Sequence, residues 1–489
     1  MGGPTFSFNR NADTTSRNFE RRTARPSSTP WRSRVPASPA PHPVDELLPP
    51  PKLLAYGLQH IAAMYAGVVA PPLIIGTAVG LSSGELTLLI GAALLTSGLA
   101  TLLQTLGLWR IGSRLPFVNG ISFAGVAPML AIVKQSHPGQ ALPAIYGALL
   151  IAGAAAFLAA PWFSRFNRFF PPVVSGTVIT LIGLSLFPVA AGWSQGGNPA
   201  AADYGSVANI TLAGVTLAVV LVLNRFLRGF LGSISILLGL VVGTLVAIPF
   251  GKTDFGALGK VPVFSMPSPF HFGAPTFQLG AIISMLIVML VSMTESTADL
   301  LALGEIVDRP ADERTIEGGL RADGAATVLA ACLNGFAATA FAQNIGLIAL
   351  TKVRSRYVVA TSGVVLILLG LFPVAGAVVS VVPQPVLGGA GLALFGTVTA
   401  SGIRTLTAAR LDESGNLLTV AVALGFGVLP IAAPNFYAHF PSLVQTVMNS
   451  GISAGCLVAV ALNVFFNQLG RRGDVEAPEL PREREMAAH

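Results

Sequence analysis

FAQNIGLIALTK, residues 341–352, opens with an amide pair, Gln343 and Asn344, and then turns apolar until Thr351 and Lys352 close it. The run is too short to cross a bilayer as a helix, which takes about 20 apolar residues. The stretch before it, NGFAATA at 334–340, has the small residues of an extended or turning chain. A second stretch has the same character: LPFVNGISFAGVAPMLAI, residues 115–132, is interrupted by Pro116, Asn119, Gly120, Gly125 and Pro128. Each predicts an extended piece followed by a short helix. Such backbone survives at membrane depth only where protein or a water-filled cavity satisfies it. The two amides are therefore expected near the midplane, at the start of a half-helix, facing a cavity and not lipid.

The rest of the chain supplies that membrane. Of 489 residues, 53% are hydrophobic and only 10% charged, against about 25% charged in soluble proteins. Apolar stretches centre on 53–75, 86–107, 117–133, 141–162, 173–191, 209–224, 231–250, 277–304, 324–340, 343–351, 357–382, 386–400, 416–432 and 442–467. The expected fold is an all-α polytopic membrane protein with about fourteen transmembrane segments. The two interrupted segments are the third and the tenth, equivalent members of two halves of seven. An odd number of passes inverts the second half relative to the first. Paired interruptions of this kind point to a transporter binding site.

The formal charge of +7 follows topology and not nucleic acid. With the N-terminus in the cytoplasm, one side collects the seven arginines of residues 1–50, Lys52, the arginines of the loops near 110, 165, 225, 310, 355 and 405, and the C-terminal arginines. The other side keeps only Lys134, Lys252 and Lys260. This is the positive-inside distribution, and both termini are expected to be cytoplasmic. Residues 1–50 contain no hydrophobic block and no secretory signal; a disordered tail is preferred to a transit peptide. Cys332 and Cys456 lie in apolar spans and read as packing residues.

Polar residues at membrane depth carry the function. In MLIVMLVSMTESTADLLALGE, Glu295 and Asp299 are four apart and share a helical face. An acid at the middle of a spanning helix costs about 2.5–3.5 kcal/mol, so such a face lines a bundle interior or a water path by default. Two carboxyls so close disfavour double ionisation, and the pair is expected to carry a proton. Asp323, in GGLRADGAATV, reads equally as a helix cap or a proton-coupling group. His60, in YGLQHIAAMYAG, suits a proton relay or a satisfied buried histidine. The Gln343 amide offers a coplanar donor and acceptor, matching the edge of a heterocyclic base as an amide reads adenine. Glu295 suits ring N–H groups, and Phe123 supplies a stacking face. A flat, neutral or weakly acidic heterocycle fits all three.

At these positions the sequence resembles the nucleobase–ascorbate transporter family, also called nucleobase:cation symporter-2. QNIGLIALTK, 343–352, matches its long signature; QH in the first span, SF in the third, Glu in the eighth and ADG in the ninth follow in matching order. The resemblance covers roughly 52–468. It implies a seven-plus-seven inverted repeat, a homodimer, and proton-coupled uptake by elevator-like motion, with the proton as coupling ion and no cofactor. Core segments would occupy 52–168 and 271–383, gate segments 169–270 and 384–468, with tails at 1–51 and 469–489. By matching positions, Glu295 and Gln343 would bind the base, and Phe123 and Ala342 would add backbone contacts. His60, Ser122, Asp299, Asp323 and Asn344 would tune affinity or coupling. Protonation of the acidic cluster would favour an outward-loaded site, and deprotonation would accompany release inside. The Gln-Asn form looks like the xanthine and uric acid branch of the plasma or inner membrane, whereas uracil members typically carry Glu at 343. Ala298 departs from the Gly common in xanthine-type members and EST matches urate-type ones; both purines stay open, with xanthine slightly favoured.

Two rival readings are weaker. Anion exchangers share this architecture but would lack a midplane carboxylate such as Glu295. GISAG, 451–455, fits a hydrolase nucleophile motif around Ser453, but without a preceding strand or acid and histidine partners. GKT at 251–253 lacks the glycine of a phosphate loop, and no His-Glu-x-x-His is present.

Overall fold

The computed structural model describes residues 42–163, 169–253 and 263–469. Residues 1–41 and 470–489, with the expected tails, and the loop residues Arg165, Arg168 and Lys260 lie outside them. Fourteen principal helices follow in order: α1 Pro50–Val79, α2 Ser83–Leu106, α3 Val126–Gln135, α4 Ala141–Ala159, α5 Pro172–Ser194, α6 Val207–Phe226, α7 Ser235–Ala247, α8 Leu279–Ile306, α9 Glu313–Cys332, α10 Ala342–Thr351, α11 Arg356–Leu371, α12 Gln384–Leu406, α13 Ser414–Ala432 and α14 Gly451–Asn463. Among the described residues nine helices are long and apolar enough to cross a membrane, joined by four shorter apolar ones. Every apolar segment expected from the sequence contains a helix.

The two interrupted segments hold the only strands among the described residues, β1 Asn119–Ile121 and β2 Ala338–Ala340. They pair antiparallel, with Asn119 opposite Ala340 and Ile121 opposite Ala338. Ser122 N–H to the Ala337 carbonyl (2.8 Å) and Phe341 N–H to the Val118 carbonyl (3.1 Å) extend the ladder. A helix of ten residues such as α10 rises about 15 Å, half of a hydrocarbon core about 30 Å thick. The extended half of each segment covers the remainder.

A buried two-stranded sheet has unpaired outer edges, and hydroxyls of the surrounding helices satisfy them. Thr101 on α2 accepts from Asn119 N–H (3.1 Å) and donates to its carbonyl (3.0 Å). Thr327 on α9 accepts from Ala338 N–H (3.0 Å), and Ser296 on α8 accepts from Ala340 N–H (3.4 Å). No local pattern marks these residues as partners of a strand.

The helices pack in two sets: α1–α4 with α8–α11, and α5–α7 with α12–α14. Small residues let the backbones approach, as at membrane helix interfaces generally. A Cβ at Gly98 of α2 would lie 2.5 Å from the Gly363 carbonyl of α11, and one at Gly363 would lie 3.0 Å from the Gly98 carbonyl. Between α4 and α9 the same reciprocal contact joins Gly153 and Gly324, at 3.0 and 2.8 Å.

Three expectations need correction. The ninth helix begins at Glu313, capped by Asp312 (Thr315 N–H to Oδ1, 2.8 Å), and ends at Cys332; its charged first turns hid its start, and residues 338–340 belong to β2. The eleventh and fourteenth spans are broken, the one at Pro373 and the other at Asn449–Ser450. The expected disordered tail does not extend to residue 51: Pro43–Asp45 form a 3-10 turn and α1 starts at Pro50. Val44 is fully buried with Leu115, Phe117, Leu300 and Ile348. Asp45 pairs with Arg309 at 3.1 Å and Arg356 at 2.8 Å. Cys332 and Cys456 are free thiols, the first half-buried and the second buried.

Gly98→Ala is expected to destabilise the detergent-solubilised protein by about 1–3 kcal/mol through overpacking and to lower its melting temperature. Gly84→Ala, on the same helix with nothing within 4 Å of its Cβ, should leave the melting temperature unchanged. Equal melting of the two variants would contradict the close approach of α2 and α11.

Candidate functional site

The N-terminal ends of the two half-helices sit beside the paired strands, against α8. Among the described residues the first two N–H groups of α10, from Ala342 and Gln343, have no hydrogen-bond partner, as expected at the start of a helix. Phe341, just before them, buries its ring against Gly67 of α1 and Gly120 of β1, where a Cβ would collide with it. Thr351 back-bonds to the Leu347 carbonyl (2.8 Å), and Lys352 closes α10 in a left-handed conformation, φ 57°.

A cavity of about 350 Å3 opens there. Glu295 from α8 and Phe123, Ala342 and Gln343 from the interrupted segments all line it, with Thr339 and Phe341. Its other wall comes from Ile179 and Ile182 of α5 and Thr397, Ser401 and Arg404 of α12. Among the described residues neither the Glu295 carboxyl nor the Gln343 side-chain amide has a hydrogen-bond partner in the protein. Phe123 stands edge-on to Phe395 of α12, ring centroids 6.1 Å apart. A larger cavity of about 390 Å3 lies beyond Phe395, between α1, α5, α7 and α12. Its walls are almost wholly apolar and carry no charged side chain, so polar recognition belongs to the smaller one.

The remaining five residues singled out in the sequence stand behind the cavity wall. Asn344 does not face the cavity with Gln343, contrary to expectation, because consecutive residues of a helix point about 100° apart. Its amide donates to the His60 carbonyl (3.0 Å) and lies 3.0 Å from His60 Nδ1, tying α10 to α1. With Asn344 donating, Nδ1 is the acceptor and the imidazole proton sits on Nε2. The Ser122 hydroxyl meets that of Ser292 on α8 (3.1 Å). Asp299 lies one turn beyond Glu295, half-buried, with Oδ2 unbonded.

Asp323 is not a helix cap; Asp312 fills that place, and Asp323 is fully buried in mid-helix. Its Oδ1 accepts from Asn119 Nδ2 at 2.6 Å and Gln104 Nε2 at 2.8 Å. Gln104 also donates to the Gly319 carbonyl (2.8 Å) and accepts from Ser113 N–H (3.1 Å). One carboxylate thus joins α9 to α2 and to β1. Glu295, Asp299 and Asp323 are within electrostatic reach of one another, and charges sharing a low-dielectric region repel strongly. Sequence reading missed Gln104, Thr339, Thr397, Ser401 and Arg404; the signal for Gln104 was an amide inside an apolar span.

Two half-length segments meeting at a polar cavity, inside a bundle of apolar helices, define a multi-pass membrane transporter. The Permease family (Xan_ur_permease) matches residues 51–436, and the chain belongs to it. Uric acid permease PucJ of Bacillus subtilis is 42% identical over 420 residues, covering 85% of this chain and 93% of that one. The xanthine permease of the same organism is 39% identical, with coverages of 87% and 96%. The uric acid transporter UacT of Escherichia coli is 40% identical, with coverages of 88% and 89%. Among solved structures, the murine anion transporter Slc26a9 shares the fold at a TM-score of 0.57 and 12% identity, over 85% of this chain and 68% of that one. The transmembrane domain of the cyanobacterial bicarbonate transporter BicA matches at 0.50 and 15% identity, over 83% and 96%.

The protein is a transporter and not an enzyme. Ser453 of the hydrolase-like motif is fully buried in α14, where Gly451 and Gly455 admit the backbone of α13.

Asn119→Ala removes one of the two amide donors from a buried carboxylate and is expected to cost about 1–3 kcal/mol. The measurement is the melting temperature of purified protein, and an unchanged value would show that Asn119 does not support Asp323.

Proposed function

We propose that this permease takes up a purine nucleobase, xanthine and/or uric acid, together with protons, by elevator-like movement of one helix set against the other. The observation that carries the reading is the joint cavity of Glu295 and Gln343. An acceptor-only carboxylate and a planar amide, both free of protein partners, meet Phe123 and the free N–H groups at the start of α10. A flat base presents ring N–H groups to the first, an adjacent carbonyl and N–H to the second, and a π-face to the third. The names borne by the relatives, uric acid and xanthine permease, point to the same chemistry.

The set α1–α4 with α8–α11 would be the moving core, carrying the base-binding groups; α5–α7 with α12–α14 would be the gate. Support for a seven-plus-seven inverted repeat comes from paired details. Thr101 holds the first N–H of β1 and Thr327 the first N–H of β2. α2 meets α11 and α4 meets α9 through the same reciprocal glycines. Proton coupling is assigned to Glu295, Asp299 and Asp323, whose mutual repulsion makes full ionisation costly, with His60 and Asn344 setting the position of α10. A homodimer in the cell membrane with both termini in the cytoplasm completes the proposal, the orientation resting on the positive-inside distribution.

Radiolabelled uptake in cells lacking their own purine permeases tests this. Glu295→Gln should lower xanthine and uric acid uptake at least about 100-fold, the scale of losing a charged hydrogen-bond partner, with membrane abundance unchanged. Full activity in that variant would remove Glu295 from the site, and uptake insensitive to an uncoupler would remove the proton. Gln343→Glu replaces the donor half of the amide by a second acceptor and should weaken purine uptake roughly tenfold or more. Competition by xanthine and uric acid equal to that in the parent protein would show that Gln343 does not read the base edge.

A further inference from the structure

The wall of the cavity opposite Glu295 holds a polar stripe on α12. Thr397, Ser401 and Arg404 fall at intervals of four and three residues, on one helical face, and all three line the cavity. Thr397 is occupied by the Leu394 carbonyl (2.7 Å). Arg404 is exposed, and its guanidinium makes no hydrogen bond or ion pair among the described residues. Arg309, Arg321, Arg354, Arg356 and Arg410 are each matched to a carboxylate, whereas Arg404 lies only within electrostatic reach of Asp299. Among the described residues Arg404 is also the single cation lining the cavity, as Glu295 is its single anion. The two charges come from different helix sets.

An anionic ligand beside Glu295 meets like charge, and a cation in the same cavity offsets that repulsion. Guanidinium suits the role: its planar fork of donors pairs with a delocalised anion across two adjacent heteroatoms. Uric acid is a monoanion at neutral pH, whereas hypoxanthine is neutral there. We propose that Arg404 is the specificity-determining residue of the gate wall, favouring an anionic purine over a neutral one. This rests on the purine reading above.

The test is equilibrium binding of radiolabelled uric acid and hypoxanthine to the purified full-length protein in lipid nanodiscs. Arg404→Gln should weaken uric acid roughly five- to tenfold and leave hypoxanthine within about twofold, the scale of discrimination that one partner supplies. Arg404→Lys should keep most of the preference. Raising the salt concentration should weaken uric acid binding to the parent protein and to Arg404→Lys, but not to Arg404→Gln, where the attraction is gone and only the repulsion from Glu295 is left to screen. If Arg404 serves only as an interfacial anchor, Arg404→Gln will change both ligands alike or neither, and the proposal falls. Binding of hypoxanthine without uric acid by the parent protein also overturns it. Binding of neither purine by the parent protein sinks the purine reading itself, and this inference with it.

Discussion

The structure depends on one constraint: backbone that leaves the helix inside the bilayer must be satisfied by the protein or by a water-filled cavity. Here two such pieces find each other. β1 and β2 satisfy their facing groups as a three-residue ladder, and Thr101, Thr327 and Ser296 reach in to their edges. Unwinding at this depth leaves the N-terminal ends of two half-helices pointing into the middle of the bundle. Those ends are what make a site possible, since they supply free donors and two flanking side chains where a continuous helix would have none.

Around that pairing the polar side chains divide by task. Gln343, Ala342, Phe123 and Glu295 face the cavity. Asn344 and His60 turn away from it and lock α10 to α1, while Asp323 gathers α2, α9 and β1 around one oxygen. An acid on α9 whose two amide donors come from α2 and β1 reports on the relative position of the three elements. That is the property the proposed coupling role would use, and it places Asp323 behind the base site while Glu295 of the same cluster lines it.

Within the set that carries the base-binding groups, α2 meets α11 and α4 meets α9 through glycines, backbone against backbone. The facing wall from α5 and α12 meets them through side chains, with Phe395 edge-on to Phe123. One helix set facing a separate wall is the arrangement that the proposed elevator-like step would use.

Much of this could be read from the residues. Apolar length placed the helices, and Pro and Gly at 116–128 together with the small residues at 334–340 marked both interruptions, because helix geometry and the bilayer's thickness are local constraints. The i, i+4 spacing of Glu295 and Asp299 announced a polar face for the same reason. The partners were decided only by tertiary structure. Asn344 sits next to Gln343 in sequence but on another face, Asp323 is a buried hub and not a cap, and Val44 and Asp45 belong to the folded body and not to a tail. Arg404 reaches the cavity from a distant helix, and Thr101 and Thr327 reach the strand edges from 18 and 11 residues away, contacts that no periodicity or spacing announces. Side-chain direction and long-range hydrogen bonding are set by packing, and packing exists only once the chain has folded.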